Sequence, residues 1–204
     1  DTELALAFYE RGASQGQIDC MCSYGHLLVR QALEQLALLA PGLSRKEIQN
    51  KDMATPADLA TYDRGVKEGA HWLRTASNAG SAQASYQLGR AYEQGVGVPQ
   101  DMYSALEMYQ FAVECAKTST HLSDPASVGV NASYAAANML YAGVGTGAPS
   151  ATQISHACDY YREAALVGHA ESQNAYGLLL EDGRAARQYV RVASSAWSTS
   201  ERES

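Results

Sequence analysis

Charge is scarce in this chain. Asp, Glu, Lys and Arg make up 18% of its 204 residues, against about 25% in an ordinary globular protein, so part of the surface is expected to be covered by something else. The charge present is acidic on balance, formally −7. That excludes a general nucleic-acid binder, because neutralising phosphates takes clustered Lys and Arg. Long apolar runs are missing too. One of the longest, Leu36–Ala40, stops at Pro41-Gly42, far short of the ~20 residues that a membrane helix needs, so no membrane span is expected in this chain.

The usual carriers of chemistry are equally sparse. His26, His71, His121, His156 and His169 sit at no ligand spacing with a cysteine or with each other, and no H-E-x-x-H occurs, so no metal and no cofactor is expected. Gly143-Val144-Gly145-Thr146-Gly147 looks like a phosphate loop but lacks a preceding strand and a G-K-[ST] ending; it reads as a turn. No Ser/His/Asp or Cys/His pairing can be assigned from spacing, so no catalytic residue is named. Asn131-Ala132-Ser133 matches a glycosylation pattern and nothing around it adds to that. The four cysteines, Cys20, Cys22, Cys115 and Cys158, show no paired spacing. Cys20 and Cys22 are too close in one helix to face each other. All four read as free thiols filling small core sites, which favours a reducing compartment such as the cytoplasm or an organelle interior like the mitochondrion.

What the chain does have is a repeating unit. Ala82–Ala116 carries Leu88-Gly89, Tyr92, Gly95-Val96-Gly97-Val98, Asp101, Ala105-Leu106 and Met108-Tyr109. Its second half recurs as Ala5-Leu6-Ala7-Phe8-Tyr9 with Ala13 and Gly16, as Gly69 through Trp72 with Ala76 and Gly80, and as Ala157, Tyr160-Tyr161, Ala164-Ala165 and Gly168. A weaker copy is Ala185, Tyr189 and Ala193. Its first half recurs as Tyr24-Gly25-His26-Leu27-Leu28, as Met139-Leu140-Tyr141 with Gly143, and as Tyr176-Gly177-Leu178. Such a unit is a helical hairpin that cannot bury its apolar face alone but can when copies stack. Gly inside a helix costs about 1 kcal/mol against Ala, so Gly89 and Gly177 predict close helix contacts, whereas Gly65 and Gly69 suggest a bend in a long helix.

These motifs resemble the Sel1-like repeat, a relative of the tetratricopeptide repeat. The resemblance implies an all-α fold, a right-handed α-α superhelical solenoid of stacked helical hairpins. In this register, residues 1–16 are the second helix of an incomplete leading repeat, and its missing mate predicts that a segment was removed upstream of Asp1. A repeat spans 17–80 with an insertion at 41–55. A regular repeat spans 81–118. The next spans 119–168 with an inserted loop over 117–131, a shortened one spans 169–198, and 199–204 are a polar tail. Ser44 with Glu47 predicts a capped short helix, and Thr55-Pro56 with Asp58 a stronger helix start. Helices are expected near 132–142, 151–167, 170–182 and 184–198.

The resemblance also implies the function. It points to a non-enzymatic protein–protein interaction scaffold, an adaptor or accessory subunit of a multiprotein assembly whose partners are other proteins. The alternative is a stand-alone receptor for a peptide laid along the concave face. A hydrolase-type member is a third reading, and the missing cysteine pairs speak against it. Candidate partner-binding residues follow from the register. Leu4 and Phe8 lie on an end helix without a mate. Tyr62 and Tyr103 fall outside the packing slots, and aromatics are enriched at interface anchors. Arg184, Arg187 and Arg191 form one stripe on the last helix.

Overall fold

In a computed structural model of the chain, the described residues are 2–39, 47–48, 54–118, 125–144 and 147–183. They are all-α, as the repeat pattern requires. The chain divides into two units, Asp1–Thr120 and His121–Ser204. The first holds α1 (Thr2–Ser14), α2 (Ile18–Leu39), α3 (Pro56–Asn78), α4 (Ala82–Gln94) and α5 (Met102–Thr118). The second holds α6 (Pro125–Ala142), α7 (Ala151–Leu166) and α8 (Ala170–Glu181). Within each unit every helix packs on the next in sequence, the arrangement of stacked hairpins.

Local chemistry sets the helix ends. Thr55 accepts from the Asp58 amide at 3.2 Å, while the Asp58 carboxylate accepts from the Thr55 amide at 3.0 Å. This reciprocal capping box, with Pro56 just inside, satisfies two otherwise orphaned donors at the start of α3. Ser81 caps α4 in the simpler way, accepting from Ala84. Ser150 and Gln153 repeat the full box at α7. The α4–α5 turn leaves the helix through Gly95 at φ +70°. Gly97 then lies so close to α3 that a Cβ there would overlap the Val66 carbonyl.

Two helix crossings share one geometry. Where α2 meets α3, a Cβ added to Gly25 would stand 2.8 Å from the Gly69 carbonyl oxygen and 3.1 Å from Leu73 Cγ. Where α4 meets α5, a Cβ on Gly89 would stand 3.3 Å from the Ala105 carbonyl oxygen and 2.7 Å from the Tyr109 ring. Gly25 and Gly89 are one register position, Gly69 and Ala105 another, Leu73 and Tyr109 a third. Small residues at these crossings let the backbones approach closely. A third correspondence links the two units. Tyr86 packs against Tyr109 at 5.7 Å, and Tyr134 against Tyr161 at 6.1 Å. The Tyr109 hydroxyl donates to Glu93 Oε2 and that of Tyr161 to Asn138 Oδ1, both at 2.6 Å.

Several expectations change. Gly65 and Gly69 do not mark a bend: α3 runs unbroken from Pro56 to Asn78, and both glycines face α2 at close range, Gly65 against Ala32. The loop expected over 117–131 is shorter, because α5 continues to Thr118 and α6 begins at Pro125. Proline is suited to a first helical turn, and the small residues that follow hide the helix by showing no amphipathic period. The Asn131-Ala132-Ser133 pattern therefore lies inside a helix, with Ala132 and Ser133 buried. The close contact expected at Gly177 is not found among the described residues, where nothing lies within 4 Å of its added Cβ. The segment that would carry the facing slot, around Ala185 and Tyr189, lies outside them, as do Ser44 and the stretch 184–198.

Candidate interaction surface

The exposed large apolar residues of the first unit lie on three helices: α2 carries Ile18, Leu33, Leu38 and Leu39, and the others stand on α1 and α5. On α1, Leu4 is 58% exposed and Phe8 66%. They stand four residues apart, hence on one face of the helix. Leu6 turns half inward and Ala13 is buried against the rest of the unit. Gly12 holds α1 tightly on α2, since a Cβ there would reach within 2.5 Å of Cys20 Sγ. The Leu4–Phe8 face is thus presented by a helix whose other side is already packed.

On α5, Tyr103 is 59% exposed and Phe111 41%. Eight residues apart, they flank Glu107 along one face. Asp101 positions the start of this helix by accepting from the Tyr103 amide at 3.0 Å and from the Ser104 hydroxyl at 2.7 Å. The Ser104 hydroxyl and these amides hold the Asp101 carboxyl below its ordinary value. Phe111 was not singled out from the sequence, although its spacing from Tyr103 on a helix would have placed the two together.

Tyr62 is a correction. It is only 7% exposed and sits in a core cluster with Ala32, Leu36, Ile48, Leu59 and Val66. Falling outside the repeat's slots did not put it in solvent, because the segment that precedes α3 supplies Ile48 to cover it. Arg184, Arg187 and Arg191 lie outside the described residues.

Several groups that could do chemistry pack or cap within the helices. Among the described residues no three His, Cys, Asp or Glu side chains cluster as a metal site. His169 caps α8 by accepting from the Ser172 amide at 3.2 Å and packs on Tyr134 at 4.9 Å. His71 lies edge-on to Trp72. Cys22, Cys115 and Cys158 are buried; burial pushes the Cys22 thiol up to about 11, against a partly offsetting hydrogen bond with Ser81. Gly143 and Gly147 both adopt positive φ, in keeping with a turn after α6. No described helix is long and apolar enough to cross a membrane.

The family sequence model for the Sel1 repeat matches residues 1–17, 82–116 and 130–169. These three segments match the Sel1 repeat. The matched segments include the Gly89–Tyr109 crossing and the Tyr134–Tyr161 pair. The unmatched stretch between the first two segments contains the Gly25–Gly69 crossing, which has the same geometry. Sel1 repeats generally serve as scaffolds for protein–protein interaction. Among solved structures, the chain is similar to a Sel1 repeat protein from Oxalobacter formigenes at 22% identity, covering 77% of this chain and 63% of that one, with a TM-score of 0.47. It is also similar to a protective antigen of uropathogenic Escherichia coli strains displaying an SLR fold, at 20% identity, covering 96% of this chain and 50% of that one, with a TM-score of 0.26. The chain thus spans less than two thirds of the length of either. No curated protein matches.

Proposed function

We propose that this chain acts as a non-enzymatic adaptor or accessory subunit of a multiprotein assembly, holding other proteins through its Sel1 hairpins. The observation that carries this reading is the Leu4–Phe8 face. Two large apolar side chains, each more than half exposed, stand on one side of a helix that is anchored on the other. Leaving such side chains in water forgoes roughly 1.5–3 kcal/mol apiece relative to burial, so a partner that covers them gains most of that on docking. The Tyr103–Phe111 face of α5 is a second contact of the same kind, with a tyrosine suited to anchoring an interface.

The test is site-specific photo-crosslinking in the organism that makes the protein. A photoreactive amino acid replaces Phe8 in one variant and Tyr103 in another, with the exposed Glu114 as the control position. A constitutive subunit gives one discrete cross-linked protein from Phe8, recovered in near-stoichiometric amount, and little from Glu114. Equal, diffuse cross-linking from all three positions removes the reading.

A further inference from the structure

Against the background of an acidic chain, one concavity is lined by cations. α2, α3 and α4 enclose a cavity of about 160 Å³ whose lining includes His26, Arg30, Arg90, Gln87, Val29 and Leu73. Leu73 is buried and Val29 half-buried, so they form an apolar floor; His26, Arg30 and Arg90 are exposed and form a polar rim. No Asp or Glu lines it. Arg30 meets Glu34 through Nε at 3.5 Å, with both side chains more than half exposed. A pair of that kind is worth little and exchanges readily for a better partner. Arg90 has no ion-pair partner among the described residues.

The geometry points to a binding site for an acidic peptide segment of a partner protein, in which a Glu or Asp side chain enters between Arg30 and Arg90 while a neighbouring apolar side chain rests on Val29 and Leu73. This deepens the interaction reading above and rests on it. Size argues for a peptide side chain. A cavity of about 160 Å³ falls below the roughly 300–1,000 Å³ of sites for drug-sized ligands. Charge argues for an acid, because guanidinium groups offer a planar fork of donors that fits a carboxylate. His26 reports the same convergence. Partial desolvation at the rim, then Arg30, then Arg90 lower its pKa from the ordinary value, so both guanidinium groups act on one point and favour the neutral imidazole, which can donate one hydrogen bond. A nucleic-acid backbone is disfavoured by the formal charge of −7.

The experiment uses three pools of fluorescein-labelled peptides, about eight residues long. Each has a fixed Leu-Glu, Leu-Gln or Leu-Lys at the centre and random residues elsewhere; each is titrated against the full chain by fluorescence anisotropy. The Leu-Glu pool is expected to bind at least about tenfold tighter than the Leu-Gln pool, and the Leu-Lys pool weakest. Arg30→Gln and Arg90→Gln should each weaken the Leu-Glu pool about tenfold with unchanged thermal melts. Arg74→Gln, whose guanidinium instead meets the Tyr92 hydroxyl at 3.1 Å, should leave it unaltered. Equal affinity for the Leu-Glu and Leu-Gln pools, indifference to Arg90→Gln, or no saturable binding of any pool overturns the site. So does displacement by inorganic phosphate at the peptide's own concentration, which would make it a simple anion site. Any of these failures leaves the Phe8 cross-link standing, and loss of that cross-link leaves a Glu-selective cavity standing, so the two ideas fail separately.

Discussion

Gly25 and Gly69 meet backbone to backbone. A Cβ on Gly25 would lie 2.8 Å from the Gly69 carbonyl oxygen, and one on Gly69 would lie 2.7 Å from the Gly25 carbonyl oxygen. Real Cβ atoms do not tolerate such distances, so both positions require glycine unless α2 and α3 separate. Each glycine forgoes about 1 kcal/mol of helix propensity, a loss offset by the close packing of the two helices. The same relationship, with alanine in place of the second glycine, recurs between Gly89 and Ala105. There the third position is Tyr109 rather than Leu73, and its ring fills the space above Gly89.

That difference makes the crossing testable by a double-mutant cycle. Gly89→Ala puts a methyl group 2.7–2.8 Å from the Tyr109 ring carbons, and overpacking of that kind costs about 1–3 kcal/mol. Tyr109→Leu alone also destabilises, because it empties a fully buried site and removes the hydrogen bond to Glu93. The double variant should be more stable than the sum of the two losses by about 0.5–2 kcal/mol, the coupling typical of residues in contact. Urea melts of the four proteins measure it; strict additivity would show that the ring and Gly89 do not share a contact.

The α3 capping box makes a pH-dependent prediction. The Thr55 hydroxyl, then the Thr55 amide, hold the Asp58 carboxyl below its ordinary 3.8. A carboxyl depressed in the folded state contributes stability that is present above the ordinary value and lost as pH falls through the lower folded one. Thr55→Ala should therefore destabilise the chain at neutral pH. The gap between wild type and variant should narrow as the pH is lowered through and below 3.8, leaving the part due to the Thr55 hydroxyl accepting from the Asp58 amide. Thermal melts from pH 7 to pH 2.5 read this directly, and a gap that stays constant across the range would show that the Asp58 charge is not part of the cap.

Much of this was legible in the sequence and some was not, for identifiable reasons. The crossing at Gly89 could be read because glycine inside a helix advertises a close approach, and the start of α3 because Thr55, Pro56 and Asp58 carry their own chemistry. The start of α6 was hidden because its first two turns, Pro-Ala-Ser-Val-Gly-Val-Asn, are mostly small residues with polar Ser127 and Asn131 among them, so no amphipathic period can be detected. Tyr62 was misplaced because its partner Ile48 comes from outside the repeat motif. The cation-lined cavity was invisible for a different reason. His26 and Arg30 lie one helical turn apart, but Arg90 joins them only when α4 stacks beside α2, and no repeat register names that neighbour.

Thiol reactivity should follow burial. Cys22 is buried and its thiol is raised to about 11; Cys115 and Cys158 are buried and raised by the same desolvation. The thiolate is the reactive form, so iodoacetamide at pH 8 should label half-buried Cys20 first and the other three slowly. After denaturation without reductant all four should be labelled within the same short exposure. Intact-mass spectrometry counts the additions. Fast native labelling of Cys22 would contradict the packing of α2 on α3 described above.

The α1 face should make the isolated chain self-associate. Leu4, Phe8 and the adjacent Tyr9 are all exposed, and apolar side chains clustered on one exposed helix face favour association that covers them. Two copies meeting through this face would cover it, so light scattering on the isolated chain should show a mass that rises with concentration. Leu4→Ser with Phe8→Ser removes the apolar area without touching buried Ala13 or the Gly12–Cys20 contact. That double variant should scatter as a monomer and keep its helical circular dichroism. Tyr103→Ser is the comparison, since it removes a similarly exposed side chain from α5 and should leave association through α1 unchanged. A wild-type chain that remains monomeric at high concentration would show that Leu4 and Phe8 are tolerated in water, which weakens the subunit reading in favour of a receptor that is stable alone.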